Sequence, residues 1–126
     1  MKDGRRRLGA FGERLAAAHL MAKGYQIRAR NFRCREGEID IVAQDGGTLV
    51  FVEVRTRRGD AMGSPAESVT AVKEARLVAA AMCYVQGLTE PPSDQRIDVV
   101  AVQLSLGGRL LAIEHIEGAV DQREPI

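Results

Sequence analysis

The sequence predicts a layered α/β domain: a mixed β-sheet flanked by helices, in the order helix, three strands, helix, two strands. Three observations carry that prediction. Residues 6–23 and 64–86 repeat apolar side chains at helical spacing. Five shorter segments, "YQIRARNF", "GEIDIVAQ", "TLVFVEVRTR", "RIDVVAVQLS" and "RLLAIEHIE", carry the alternating or β-branched character of strands. Glycine pairs separate the second of these from the third and the fourth from the fifth, where a short reversal is needed.

The elements follow in order. In the first helix Leu8, Phe11, Leu15, Ala18 and Ala22 form one stripe, and Gly24 stands where a helix-ending glycine is expected. The first strand should carry Tyr25, Ile27 and Ala29 on one face. Asp45-Gly46-Gly47-Thr48 joins the second and third strands, and a two-residue loop at Gly46-Gly47 pairs Asp45 with Thr48. After the polar loop "RGDAMGSP", Ser64, Pro65 and Glu67 read as N-cap, first helical residue and capping-box partner of a second helix running to about Gln86. The prolines of "TEPPSDQ" keep the next segment irregular, and Gly107-Gly108 turns the fourth strand into the fifth. No repeat, low-complexity segment or linker divides the chain. The reading is a single domain over residues 1–126, with 1–7 as a basic arm and 121–126 as a frayed tail.

Composition narrows the function classes. The 126 residues are 45% hydrophobic but lack Trp, so Val, Ile, Leu and Ala must fill a modest core. No apolar run approaches the roughly 20 residues that span a bilayer, and the charged Glu13-Arg14 pair argues against a signal peptide, so a cytoplasmic location is expected. Cys34 and Cys83 are far apart in sequence and lack metal-ligand spacing, which reads as two reduced thiols. Net charge is +1, yet residues 1–35 hold ten basic residues against two acidic ones, leaving −7 for the remainder. Such asymmetry points to a polyanionic partner, or to a solvated basic face balancing an acidic one.

The chemistry-bearing stretch is "EGEIDIVAQDGGTLVFVEVRTR", where Glu38, Asp40, Glu53 and Arg55 interrupt two otherwise apolar strands. On the register set by Gly46-Gly47, Asp40 lies opposite Glu53 and Glu38 opposite Arg55, and strand alternation puts all four on one face. Opposed carboxylates repel and resist simultaneous ionisation. A divalent cation relieves that. Mg²⁺ takes one or two carboxylates and keeps waters that a substrate phosphate can displace. The alternative is a Glu38–Arg55 ion pair with Asp40 and Glu53 in solvent.

These residues, with "GAFGERLAAAHLMAKGY" before them and "AVKEARLVAAAMCYV" and "RIDVVAV" after them, closely resemble the YraN-like family over residues 8–103. That family is grouped with restriction-endonuclease-like nucleases and is distantly similar to Holliday-junction resolvases. The resemblance implies a restriction-endonuclease-like core and a PD-(D/E)xK-type site acting on DNA, including branched DNA. Asp40 matches the first acid of the motif, Glu53-Val54-Arg55 the tripeptide, and Glu13 the extra acid of resolvase-like members. The implied catalytic set is Glu13, Asp40, Glu53 and Arg55, the three acids holding Mg²⁺ or Mn²⁺. A homodimer is implied in the same way, since two-fold substrates suit two-fold proteins. One departure stands out: position 55 is Arg where the motif has Lys, and Arg cannot serve as a base. That departure motivates a second reading, a non-catalytic nucleic-acid-binding or scaffolding module on a nuclease fold.

Of the remaining polar residues, Arg5, Arg6, Arg7, Arg57, Arg58, Lys73 and Arg76 are the candidate phosphate contacts, Lys73 and Arg76 sharing a helix face three residues apart. Only 4% of residues are aromatic, too few for a single-strand stacking platform, so duplex or branched DNA fits better. No module that reads a 2′-hydroxyl is visible, and RNA stays open as a substrate. Arg96 and Asp98 alternate on one strand face and read as a structural ion pair. His19 and His115 have no partner pattern for nucleophilic or zinc chemistry.

Overall fold

The computed structural model describes residues 2–59 and 70–120, with side chains from Arg7 onward. Its elements are α1 (Lys2–Ala22), β1 (Gln26–Cys34), β2 (Gly37–Asp45), β3 (Thr48–Arg58), α2 (Ala71–Gln86), β4 (Asp94–Leu104) and β5 (Leu110–Val120). This is the expected order. The strands form one sheet, β1-β2-β3-β4-β5, antiparallel except for the parallel β3–β4 pair that α2 connects. The mixed sheet and its order match those expected for a restriction-endonuclease-like core. No helix among the described residues is long and apolar enough to cross a membrane.

The sheet is packed on both faces, which is why its central strands read as continuous apolar runs. On one face Ala16, Ala17 and Leu20 of α1 bury against Ile41, Ala43, Val50, Val52, Val100 and Val102. On the other, Leu77, Ala80 and Ala81 of α2 bury against Val42, Leu49, Phe51 and Ile97. Phe51 and Phe32 hold Tyr84 of α2 edge-on, ring centres 5.9 and 5.1 Å away.

Local signals account for the element ends. At the end of α1, Gly24 has φ +95°, its N–H bonds to Met21 O at 2.9 Å, and the Tyr25 N–H bonds to Leu20 O at 3.1 Å. That is a Schellman cap, closed by Tyr25 and Leu20 sharing the same core. Asp45 pairs with Thr48 as the glycine turn requires, with positive φ at Gly46 alone, the pattern of a type II′ turn. The N-cap of α2 is Thr70, whose hydroxyl accepts from the Lys73 N–H at 3.2 Å. The expected capping box at Ser64, Pro65 and Glu67 lies outside the described residues, as does the tail at 121–126. Helix α1 starts at Lys2, so the backbone of the Arg5–Arg7 run forms part of it.

Two breaks in strand alternation correct the expected faces. A bulge between Ile27 and Ala29 pairs these residues with Ala43 and Val42 in turn, so Ile27 faces α1 and Ala29 faces α2, rather than sharing a face. In β2, Ile39 packs with the α2 core while Ile41 packs with the α1 core, so alternation fails at Asp40. Gly12 brings α1 close to the end of β3, where any added Cβ would overlap the Thr56 hydroxyl.

Candidate active site at the parting of the second and third strands

The β2–β3 ladder runs from Asp45↔Thr48 to Ile41↔Val52 and goes no further. Beyond it β2 follows β1, down to Cys34↔Gly37, while β3 continues along β4. Asp40 stands at this parting. Its Oδ2 accepts the Val54 N–H at 2.8 Å, so the side chain takes over an amide that the ladder no longer reaches. Neither expected opposition, Asp40 with Glu53 or Glu38 with Arg55, is therefore formed as a ladder pair. Glu38 pairs with Arg33 at 3.2 Å, both groups largely exposed, a contact worth little.

Glu53 points toward α2, as Phe51 does two residues before it. Its side chain is 18% exposed, and its carboxylate forms an ion pair with Arg55 Nε at 3.6 Å. It forms a cleft of about 370 Å³ with Gly37, Glu38, Lys73, Arg76 and Leu77. Gly37 admits α2 here, since a Cβ at this position would lie 3.0 Å from the Arg76 carbonyl. Glu13 sits half-buried on α1, and its charge acts on both Asp40 and Glu53.

The electrostatics are those of crowded acids. Burial, then repulsion by Glu53, pushes the Asp40 carboxyl up to about 7, with smaller pushes from Glu13 and Glu38 and a partial offset from the Val54 N–H. Burial also raises Glu53, opposed by the cations of Arg55 and Lys73. Arg55 is the second anomaly. Its Nε and Nη2 are buried with no hydrogen-bond partner among the described residues. An orphaned buried donor costs about 1–3 kcal/mol, so a guanidinium in this state calls for an acceptor such as a phosphate oxygen.

A divalent cation fits this donor chemistry: hard oxygen ligands whose mutual repulsion it would cancel. The fit rests on Asp40 and Glu53. Among the described residues, the one trio of potential ligands with donor atoms all within 4.8 Å of one another is Cys34, Glu36 and Cys83, so Glu13 is not drawn into an equally tight set.

The other expected residues divide. Lys73 and Arg76 line the cleft. Arg57 does not; it lies over β4 and β5 with Gln103 and Glu114. Arg58 and Arg7 are exposed, and the side chains of Arg5 and Arg6 lie outside those described.

Two groupings escaped the sequence reading. One is the trio of Cys34, Glu36 and Cys83. The other surrounds Asp98, which is fully buried and accepts from Arg96 Nε at 3.0 Å, His115 Nε2 at 2.7 Å and the Gly118 N–H at 2.9 Å. Arg96 Nη2 also donates to Tyr25 Oη at 2.6 Å, and Lys23 Nζ meets His115 Nδ1 at 2.9 Å. The Arg96–Asp98 pair expected from alternation is present. His115 is half-buried, with its side chain 1% exposed, and is a partner of Asp98. Register alone puts it there, by pairing Val100 with His115.

Comparison with known proteins adds a family. A family model described as "Uncharacterised protein family UPF0102" matches residues 12–102. A UPF0102 protein of Symbiobacterium thermophilum is 54% identical over 105 residues, covering 83% of this chain and 89% of its own. One from Roseiflexus castenholzii is 49% identical over 123 residues, covering 97% and 99%. One from Chlorobaculum tepidum is 49% identical over 116 residues, covering 89% and 90%.

Proposed function

Given that the chain belongs to the uncharacterised protein family UPF0102, the YraN-like family, whose name assigns no chemistry, we propose from the site itself that the protein hydrolyses phosphodiester bonds in DNA with a divalent cation. The observation that carries this reading is the pairing of two crowded, half-buried carboxyls, Asp40 and Glu53, with an arginine whose Nε and Nη2 have no hydrogen-bond partner among the described residues. A fold discards such an arrangement unless something outside the chain completes it.

The residues divide the work as follows. Asp40 and Glu53 would hold Mg²⁺ or Mn²⁺, with Asp40 oriented by the Val54 N–H. The bound ion supplies Lewis-acid stabilisation of the phosphoryl charge and an activated water. Arg55, as a guanidinium, neutralises the phosphate as negative charge builds on it and does not act as the base. Lys73 and Arg76, on the opposite wall of the cleft, bind the flanking backbone phosphates. Water adds across one P–O ester bond, leaving a phosphomonoester on one strand end and a hydroxyl on the other. Branched DNA is the substrate form favoured by the resemblance to resolvases.

The purified protein should cleave branched or nicked DNA in Mn²⁺, and Glu53→Ala should lower the rate about 10³-fold or more, the several kcal/mol that metal assistance supplies. If the wild type cleaves no form of DNA with any divalent ion, this reading fails. A second reading, a nucleic-acid-binding module without catalysis, is favoured by Arg at position 55 and by the looseness of the Glu13–Asp40–Glu53 set. It predicts salt-sensitive DNA binding that is indifferent to EDTA.

A further inference from the structure

We propose that Cys34, Glu36 and Cys83 form a binding site for one thiophilic divalent cation, Zn²⁺ foremost, on the outer wall of the cleft. The proposal is independent of the hydrolase reading. Cys34 is the last residue of β1, Glu36 lies in the turn before β2, and Cys83 is in α2. The two cysteines are 49 positions apart in sequence, yet their sulfurs and a Glu36 carboxylate oxygen all lie within 4.8 Å of one another. A tetrahedral zinc centre with arms of about 2.3 Å to sulfur and about 2.0–2.2 Å to oxygen sets its donors about 3.5–3.8 Å apart. The trio reaches that geometry by contracting an ångström or so.

The frame around these ligands is set by packing. Cys34 pairs with Gly37, and Gly37 is a point of close approach between β2 and α2. Phe32 and Tyr84, each next to or near one of the cysteines in sequence, pack edge to face at 5.1 Å. Both cysteines are half-buried and Glu36 is exposed, so the ligands are held from the protein side and reachable from solvent. A hollow of about 230 Å³ beside Glu36 and Cys83, bordered by Met82 and Gln86, leaves space for a fourth ligand such as water. Two thiolates and one carboxylate select Zn²⁺ over Mg²⁺ or Mn²⁺, the opposite preference from the Asp40–Glu53 pair. A disulfide would use the two sulfurs but gives no role to the carboxylate beside them.

The site also borders the cleft. Cys34 lines it together with Glu53, Lys73 and Arg76. A cation held here ties the β1–β2 turn to α2 and fixes the spacing of the cleft's two walls.

Cobalt reports this directly. The full chain, reduced and freed of metal, is titrated with Co²⁺ and then with Zn²⁺. The expected result is one thiolate-bound Co²⁺ per chain, seen as thiolate-to-cobalt charge-transfer absorption with the strong visible bands of a tetrahedral centre. Zn²⁺ should displace it and shield both thiols from alkylation. Cys83→Ser should abolish the charge-transfer band. Glu36→Gln, a change in an exposed turn that leaves the fold intact, should weaken binding by at least the roughly tenfold that even an outer-sphere partner contributes. Asp40→Asn should leave the band unchanged, which separates this site from the carboxylate pair. No charge-transfer band at stoichiometric Co²⁺, a band that survives Cys83→Ser, or disulfide formation at the same rate with and without Zn²⁺ would each overturn the proposal.

Discussion

Two acids of the sheet, Asp98 and Asp40, are withdrawn from solvent in opposite circumstances, the first fully buried and the second half-buried. Toward α1, Asp98 is sealed from solvent, and each oxygen meets donors from Arg96, His115 or the Gly118 backbone. At the parting of β2 and β3, Asp40 has a single donor among the described residues, the Val54 N–H, and three acidic neighbours, Glu53 chief among them. The first arrangement is complete within the chain and ties β4 to β5. The second is complete only with a proton or a cation from outside. The difference teaches that burial of a carboxylate does not by itself mark a functional site. What marks it is a donor deficit, and here Glu53, the chief neighbour of Asp40, lies beside an arginine whose Nε and Nη2 have no hydrogen-bond partner among the described residues.

Mutation should separate the two regions most sharply through stability. Asp98→Ala leaves Arg96 and His115 facing a void, and breaking a buried ion pair in this way costs about 3–5 kcal/mol. Chemical denaturation should show that loss. Glu53→Ala in EDTA should show none, or a gain, because it removes a repelling neighbour of Asp40. An equal loss in both variants would erase the distinction drawn here.

The next effect is a pH dependence. Asp40 holds its proton up to about pH 7 in the folded chain, far above its value when unfolded. The folded state therefore binds the extra proton between those two values. The resulting stability is complete below the unfolded pKa and is lost as pH rises through about 7. Without metal, the wild type should lose on the order of 2–4 kcal/mol between pH 5 and 8 relative to Asp40→Asn, which keeps an acceptor for the Val54 N–H. Mn²⁺ should restore the loss in the wild type alone. A flat difference between the two proteins would contradict the crowding at this site.

The smallest effect concerns the cleft wall. Lys73→Ala and Arg76→Ala should each reduce the salt dependence of DNA binding by about one phosphate contact, with little change in fold. Arg57→Ala, placed over β4 and β5, should change it less. An Arg57 effect equal to that of Lys73 would move the nucleic-acid path off the cleft.

Much of this could be read before the fold was seen, for reasons that are local. The turn at Gly46-Gly47 determined the β2–β3 register as far as Ile41 and Val52, one residue short of Asp40 and Glu53. Gly24 ended α1 through a cap that needs only neighbouring residues. What escaped was set by distant partners. Ile39 and Ile41 are the same residue type two apart, so nothing in the sequence signals that they face opposite cores. The bulge before Ala29 is likewise silent, because Ala fits either face. Cys34 and Cys83 meet only because α2 packs across the β1–β2 turn, and His115 reaches Asp98 only through the β4–β5 register.

The most direct test of the site is a crystal soaked in Mn²⁺ and measured for anomalous scattering. The account predicts a peak between the carboxylates of Asp40 and Glu53, absent in crystals of Asp40→Asn. A wild-type crystal with both carboxylates ordered and no peak between them, at an Mn²⁺ concentration that fills sites elsewhere on the molecule, would contradict it.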